Sequence, residues 1–312
     1  MKKYACVFPG QGSQKVGMGA DLLAIPEVVA LFDQASDYFG RDMAALCTEG
    51  PVEALTLTEN AQPAIFLVSA ALWTQVRHLG VVPAMVAGHS LGEITAYYAA
   101  GVLSFAEALA LIRVRGAAMG AACPEGVAGM AAVMGLSVEA ISEVLQPYAA
   151  APVVIANYNC PGQIVVSGRK PALQAACDAL KAAGGKVIPL PVSGAFHSPM
   201  MASAGEALST HMQKMVCREA AFPIVLNRTA TAVTSAQVLQ ENLPLQVVSS
   251  VRWIETVNCL AANADVIVEI GPGKVLQGLV KKVQSEIPVV GVSDLAQLQS
   301  VFGATNGSSI HN

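Results

Sequence analysis

The sequence predicts an α/β fold in two parts, a large body built on a parallel sheet and a smaller subdomain inserted into it. Three observations carry this expectation. Short apolar strand-like runs alternate with longer amphipathic helical ones along most of the 312 residues, the pattern of a parallel sheet flanked by helices. A Gly-x-Ser-x-Gly pentapeptide, Gly88-His89-Ser90-Leu91-Gly92, separates an apolar strand from a helix. Between Gly129 and Val192 the rhythm changes to strand, helix, strand, strand, helix, strand, which is the split βαβ order.

In chain order, a strand over 4–8 runs into the Gly-rich turn Pro9-Gly10-Gln11-Gly12-Ser13-Gln14, and a helix spans 27–39. A second helix covers 61–79. Its apolar run, Ala64 to Trp73, falls short of the roughly 18 residues of a membrane span and reads as a buried helix. Strand 84–87 leads to Ser90, and a helix follows over 91–100. Ser104-Phe105-Ala106-Glu107 is a capping box opening a helix that reaches residue 119. The inserted segment reads as strand 130–134, helix 138–148, strands 153–157 and 163–167, helix 172–183 and strand 186–191. Its two middle strands are joined by the turn Asn159-Cys160-Pro161-Gly162. The α/β rhythm then resumes with strand 266–270, a Gly271-Pro272-Gly273 turn and a helix from Lys274. These elements place an α/β-hydrolase-like body at 1–127 and 197–304 and a ferredoxin-like subdomain at 128–196. A polar, flexible tail is expected at 305–312.

Composition narrows the class. With 54% hydrophobic and 13% charged residues and a net charge of −4, the chain lacks the basic footprint of a nucleic-acid binder. No apolar run is long enough for a membrane helix, and the N-terminus enters a strand without the apolar region of a signal peptide. Seven cysteines without a Cys-x-x-Cys pair fit reduced thiols better than a disulfide frame or a metal site. A cytoplasmic monomer is the expectation.

The pentapeptide has the form of a nucleophile elbow, in which flanking glycines let a strained strand-to-helix turn push Ser90 outward. The bare pattern arises by chance in about one chain in ten of this length, so its strand-and-helix context is what raises it above a structural turn. A serine nucleophile needs a base, and there are five histidines. His311 lies in the tail, His78 ends a helix, and His211 sits on a polar, solvated helical stretch. The side chain of His89 is expected to leave the elbow on the far side from the nucleophile. His197, in Ser193-Gly194-Ala195-Phe196-His197-Ser198-Pro199 where the subdomain rejoins the body, remains as the candidate. Asp178, the only aspartate between Ser90 and His197, lies on an inserted helix, so a backbone carbonyl is the alternative orienting group. The Pro9–Gln14 loop lacks the phosphate-binding patterns; it is either a plain turn or the donor of the Gln11 N–H to an oxyanion. Arg115 shares a helix face with Leu111 and Met119, about 200° from Arg113. A cation on so apolar a face needs an anionic partner, either a structural carboxylate or that of a substrate.

Together these pieces resemble the malonyl-CoA:acyl-carrier-protein transacylases and the acyltransferase domains of polyketide and fatty-acid synthases. The resemblance rests on Phe8–Gln14, Gly88–Glu93, Arg115 with Met119, Asn157–Gln163, Ser193–Ser198 and Glu269–Gly273, which occur in family order. It implies malonyl-CoA as substrate, no bound cofactor, and an acyl carrier protein as partner, bearing the phosphopantetheine thiol. It further implies Ser90 as nucleophile, His197 as base, the Gln11 and Leu91 N–H groups as oxyanion hole and Arg115 as clamp for the malonyl carboxylate. Met119, Phe196, Asn159 and Gln163 would line the substrate cleft. The carbonyl orienting the histidine falls near Ser249-Ser250-Val251-Arg252-Trp253, where relatives carry Asn-Pro before Val, which makes Ser249 the candidate donor of that carbonyl. Phe196 beside the base leaves little room for an α-methyl group and favours malonyl. A serine hydrolase or thioesterase with the same Ser–His pair, and a trans-acting polyketide acyltransferase, are the alternatives. For docking an acidic carrier, Arg169, Lys170, Lys181 and Lys186 on the subdomain and Lys274, Lys281 and Lys282 on the body are the candidate basic residues.

Overall fold

The structure is a computed structural model that describes residues 2–124, 126–192 and 194–303. The expected tail at 305–312 and Ser193 lie outside the described residues. The elements are β1 (Tyr4–Phe8), α1 (Pro26–Phe39), α2 (Met43–Thr48), α3 (Val52–Thr56), α4 (Thr58–His78), β2 (Met85–Gly88), α5 (Leu91–Ala99) and α6 (Phe105–Ala122). They continue with β3 (Ala128–Met134), α7 (Val138–Leu145), β4 (Val154–Cys160), β5 (Gln163–Arg169), α8 (Lys170–Ala182) and β6 (Lys186–Pro189). The chain closes with α9 (Ala202–Met212), β7 (Ile224–Val225), β8 (Ala232–Val233), α10 (Ala236–Gln246), α11 (Trp253–Ala261), β9 (Val266–Ile270), α12 (Val275–Val283), β10 (Val289–Val292) and α13 (Leu295–Phe302).

Two sheets result. In the larger, of order β10-β9-β1-β2-β7-β8, the first four pairings are parallel, and the edge pair β7–β8 is antiparallel. That edge hairpin is not visible in the sequence, because two-residue strands are too short to show any periodicity. β1 lies between β9 and β2, so the chain leaves it in both directions. Loops at the carboxyl ends of these strands therefore border the crevice where open α/β sheets bind ligands. The Gly10 loop, the Ser90 elbow and the Gly271 turn all stand there. α4 fills the space behind the sheet, with Asn60 through Trp73 buried without a break, as its apolar run requires.

The smaller sheet has the order β4-β5-β3-β6 and is antiparallel throughout, the arrangement expected of a ferredoxin-like unit. Side-chain alternation divides its two faces. Ala131, Val133, Ile164 and Val166 pack with α7 and α8 into a separate core, while Met130, Ala132 and Val165 face the core of the body. The turn between β4 and β5 is tighter than expected: the strand runs through Cys160, leaving Pro161 and Gly162 (φ 73°) to reverse the chain. The pairing of β4 with β5 slips twice, between Ile155 and Asn157 and between Tyr158 and Cys160. Such bulges re-aim side chains, and both Asn157 and Asn159 face the cleft between the two sheets.

Candidate active site

The elbow exists because two glycines allow it. A Cβ on Gly88 would stand 1.9 Å from the Gly92 backbone, and one on Gly92 would stand 2.1 Å from the Phe8 carbonyl oxygen. With those contacts cleared, Ser90 takes φ 54° and ψ −107°, a conformation costly for a residue with a side chain. Hydrogen bonds hold it there. The Ser90 N–H donates to Asn227 Oδ1 (2.7 Å), Asn227 Nδ2 donates to the Gly88 carbonyl (2.6 Å), and Gln246 Nε2 donates to the Ser90 carbonyl (2.9 Å). Leu91 opens α5, so its N–H is among the four that no carbonyl of the helix satisfies.

Ser90 Oγ lies 2.7 Å from His197 Nε2. On the other side of the ring, Nδ1 is 3.1 Å from both the Gln246 and the Ser249 carbonyl oxygens. Two acceptors at Nδ1 place the ring hydrogen there and leave Nε2 as an acceptor for the serine hydroxyl. Burial, then the nearby Arg115 charge, lowers the His197 pKa to about 3, so the imidazole is neutral near pH 7. Asp178 is remote from this dyad; its carboxylate accepts from Gln174 and Lys181 on the exposed face of α8. Ser249 presents its carbonyl as the sequence suggested, and Gln246 supplies a second one that the sequence did not.

Arg115 is buried, while Arg113 on the same helix reaches out to the Tyr38 carbonyl and ring. The Arg115 guanidinium donates to Gln62 Oε1 (2.8 Å), Ser90 Oγ (3.0 Å) and Gln246 Oε1 (3.3 Å), all neutral, and Nε has no partner. Among the described residues no carboxylate pairs with it. Burial lowers its pKa to about 10, opposed by the Glu93 charge. Glu93 itself is wholly enclosed; burial pushes its carboxyl up to about 7, against the pull of Asn227, Gln246, Asn242 and Arg115.

The cleft between the sheets is lined by Gln11, Ser90, Leu91, Arg115, Met119, Phe196 and His197 from the body, and by Asn157, Asn159 and Gln163 from β4 and β5. Every catalytic, oxyanion-hole and cleft-lining candidate that the resemblance implied is on this wall except Ser249, which stands behind the histidine. Two expectations need correction. His89 does not turn away: its Nε2 bonds Asn159 Oδ1 (2.8 Å), its ring meets the edge of Trp253, and it lines the same cleft. The cause is the inserted subdomain, whose β4 comes close enough to offer the amide. His211 is half-buried rather than solvated, and burial lowers its pKa. Asn227, Gln246, Gln62 and Glu93 escaped the sequence reading, the first two lying 137 and 156 residues from Ser90. Only Glu93, adjoining the pentapeptide, left a local signal.

Such a fold, with a strained serine at a strand-to-helix turn and a carbonyl-bonded histidine beside it, defines an α/β protein with a serine–histidine pair at the carboxyl end of its sheet. The acyl transferase domain family matches residues 5–301, and the chain belongs to that family. It is 42% identical over 299 residues to the malonyl CoA-acyl carrier protein transacylase of Bacillus subtilis, covering 94% of each chain. The Escherichia coli K12 enzyme of the same name is 41% identical over 290 residues, covering 91% of this chain and 93% of that one. Among solved structures, the acyl-carrier-protein S-malonyltransferase of Burkholderia pseudomallei matches with a TM-score of 0.93 at 37% identity, over 96% of this chain and 99% of that one. A type II PKS acyl-carrier protein in complex with its malonyl-transacylase matches with a TM-score of 0.91 at 39% identity, over 97% and 99%.

Proposed function

We propose that this protein transfers a malonyl group from malonyl-CoA to the phosphopantetheine thiol of an acyl carrier protein through a malonyl-Ser90 ester, in two ping-pong half-reactions. The observation that carries the reading is a buried guanidinium 3.0 Å from the nucleophile that forms no ion pair with a carboxylate among the described residues. A hydrolase of simple esters has no use for such a cation. A substrate ending in a carboxylate does, and a planar bidentate donor suits it.

In the first half-reaction Ser90 Oγ attacks the thioester carbonyl while its proton passes to His197 Nε2. The Gln11 and Leu91 N–H groups receive the oxyanion. The C–S bond then breaks, and the CoA sulfur takes the proton from His197. In the second, the carrier thiol gives its proton to His197 and attacks the ester, and Ser90 leaves with that proton. The Gln246 and Ser249 carbonyls stabilise the imidazolium at both stages, as the acid of a triad would. Met119, Phe196, Asn159 and Gln163 shape the cleft around the acyl group. Phe196 disfavours an α-methyl substituent, a discrimination worth ~1–3 kcal/mol.

The two units of this mechanism are the body, 1–127 with 197–304, and the insert, 128–196, in a monomer that works in the cytoplasm. Exposed Arg169, Lys170, Lys181, Lys186, Lys274, Lys281 and Lys282 offer an acidic carrier protein its contacts. The names of relatives support an acyl carrier protein as the acceptor, and one similar structure holds a type II PKS acyl-carrier protein. The test is mass spectrometry after mixing with malonyl-CoA, followed by addition of each kind of carrier. An adduct on Ser90 that persists in water and moves to a carrier is expected. Rapid loss to water without a carrier would instead identify a thioesterase.

A further inference from the structure

Glu93 takes no part in the transfer steps, yet its carboxylate is enclosed beneath the elbow in the first turn of α5. A buried carboxylate is tolerated only when donors surround it. Here one oxygen accepts the Asn227 N–H (2.6 Å) and the other accepts Asn242 Nδ2 (2.7 Å). Asn227 then grips the elbow on both sides, through Oδ1 to the Ser90 N–H and Nδ2 to the Gly88 carbonyl. Asn242 lies one turn before Gln246 on α10, and Gln246 bonds the Ser90 carbonyl with its side chain and His197 Nδ1 with its own carbonyl.

We infer that Glu93 is the positioning residue of the nucleophile, an anchor that sets the Ser90 elbow through Asn227 and the His197 orientation through the Asn242–Gln246 face of α10. The strained backbone of Ser90 persists only if its surroundings over-determine it, and this network does so from both flanks. The anchor accepts at both oxygens, because the Asn227 N–H can only donate and Asn242 Nδ2 is held toward it by a second contact with Tyr97 Oη, whose own hydrogen goes to the Leu239 carbonyl. A glutamine would set its amide hydrogens against one of those donors. The resulting shift is small in distance and large in rate, since misplacing reacting atoms by an ångström costs orders of magnitude.

The inference uses the malonyl-transfer reading only to choose a substrate, so two reagents test it: malonyl-CoA, by rapid-quench acylation of Ser90, and phenylmethylsulfonyl fluoride, which reports serine reactivity alone. Glu93→Gln should lower both rates by about 10- to 100-fold, with KM for malonyl-CoA within about twofold of the parent. The double variant Glu93→Gln with Asn242→Asp exchanges donor and acceptor across one contact and should regain about tenfold. Rates within about twofold of the parent for Glu93→Gln, or no recovery in the double variant, would overturn the inference. Should Glu93→Gln fail to fold, Asn242→Ala removes one donor and leaves the elbow residues in place. A kcat loss of about three- to tenfold at unchanged KM is then expected, and an unchanged kcat would overturn the inference. A parent protein that reacts with the sulfonyl fluoride but takes no malonyl group would overturn the substrate reading instead, and the sulfonylation rates would then decide on Glu93.

Discussion

At Arg115 a single charge separates two chemistries. Its hydrogen-bond partners are three neutral groups, and no carboxylate ion-pairs with it among the described residues. Arg115→Ala should reduce kcat/KM for malonyl transfer about 100-fold or more while acetyl transfer, which presents no carboxylate, changes far less. Equal losses for the two acyl groups would remove the clamp. His197 carries a second prediction. Its folded pKa, about 3, lies below the 6.5 of a free imidazole, so between those values the unfolded chain binds the extra proton. The associated stability is present above pH 6.5 and is lost as pH falls toward 3. Denaturant titrations at pH 7 and pH 5 should show the parent losing about 2 kcal/mol more than His197→Gln over that interval. A parallel pH dependence in the two proteins would contradict the burial of a neutral ring. Ser90 and His197 were legible in sequence because an elbow and a scarce base leave local marks. Asn227 and Gln246 were not, because an amide in a loop or helix acquires its role only from what folds against it.

Among the elements, the segment following α10 does the most with the least sequence signal. Ser249 offers its carbonyl to His197, Ser250 Oγ donates to the Ile155 carbonyl of β4 (2.6 Å), and Val251 exchanges backbone hydrogen bonds with Ala156 and Tyr158. The strand that brings Asn157 and Asn159 into the cleft thus also braces the loop that orients the base. Where the family pattern has proline, this chain uses a hydroxyl to fasten the loop. Ser250→Ala should cost about 1 kcal/mol in urea denaturation and lower kcat without raising KM for malonyl-CoA. A raised KM with unchanged kcat would assign that loop to substrate binding. The elbow is less forgiving. Gly88→Ala forces a Cβ to within 1.9 Å of backbone, and loss of more than about 3 kcal/mol, or of soluble protein, is expected. The long helices and the strands of the insert were readable from periodicity, within a few residues at their ends. β7 and β8, two residues each, were not.

On the scale of the molecule, the cleft is a product of insertion. One face of the small sheet seals its own core against α7 and α8, and the other lends Met130 and Val165 to the cleft wall. Carrier docking belongs to this scale, because its candidate basic residues lie on both parts. Lys281→Glu with Lys282→Glu should slow transfer from malonyl-Ser90 to an acidic carrier about tenfold at low salt, with the difference shrinking as salt rises. Acylation of Ser90 by malonyl-CoA serves as the internal reference, and an equal loss there would remove the carrier-specific role.

The sequence alone determined the α/β alternation, the βαββαβ insert, the glycines that permit the elbow and the scarcity of histidines that singled out His197. Each of these is written in neighbouring residues, through backbone sterics or periodic burial. The tertiary structure decided which polar groups meet: the two carbonyls behind His197, the neutral partners of Arg115, the turn of His89 toward Asn159 and the anchoring of the elbow by Glu93. Those pairings join residues up to 156 positions apart, and burial turns them from chance neighbours into obligatory hydrogen bonds.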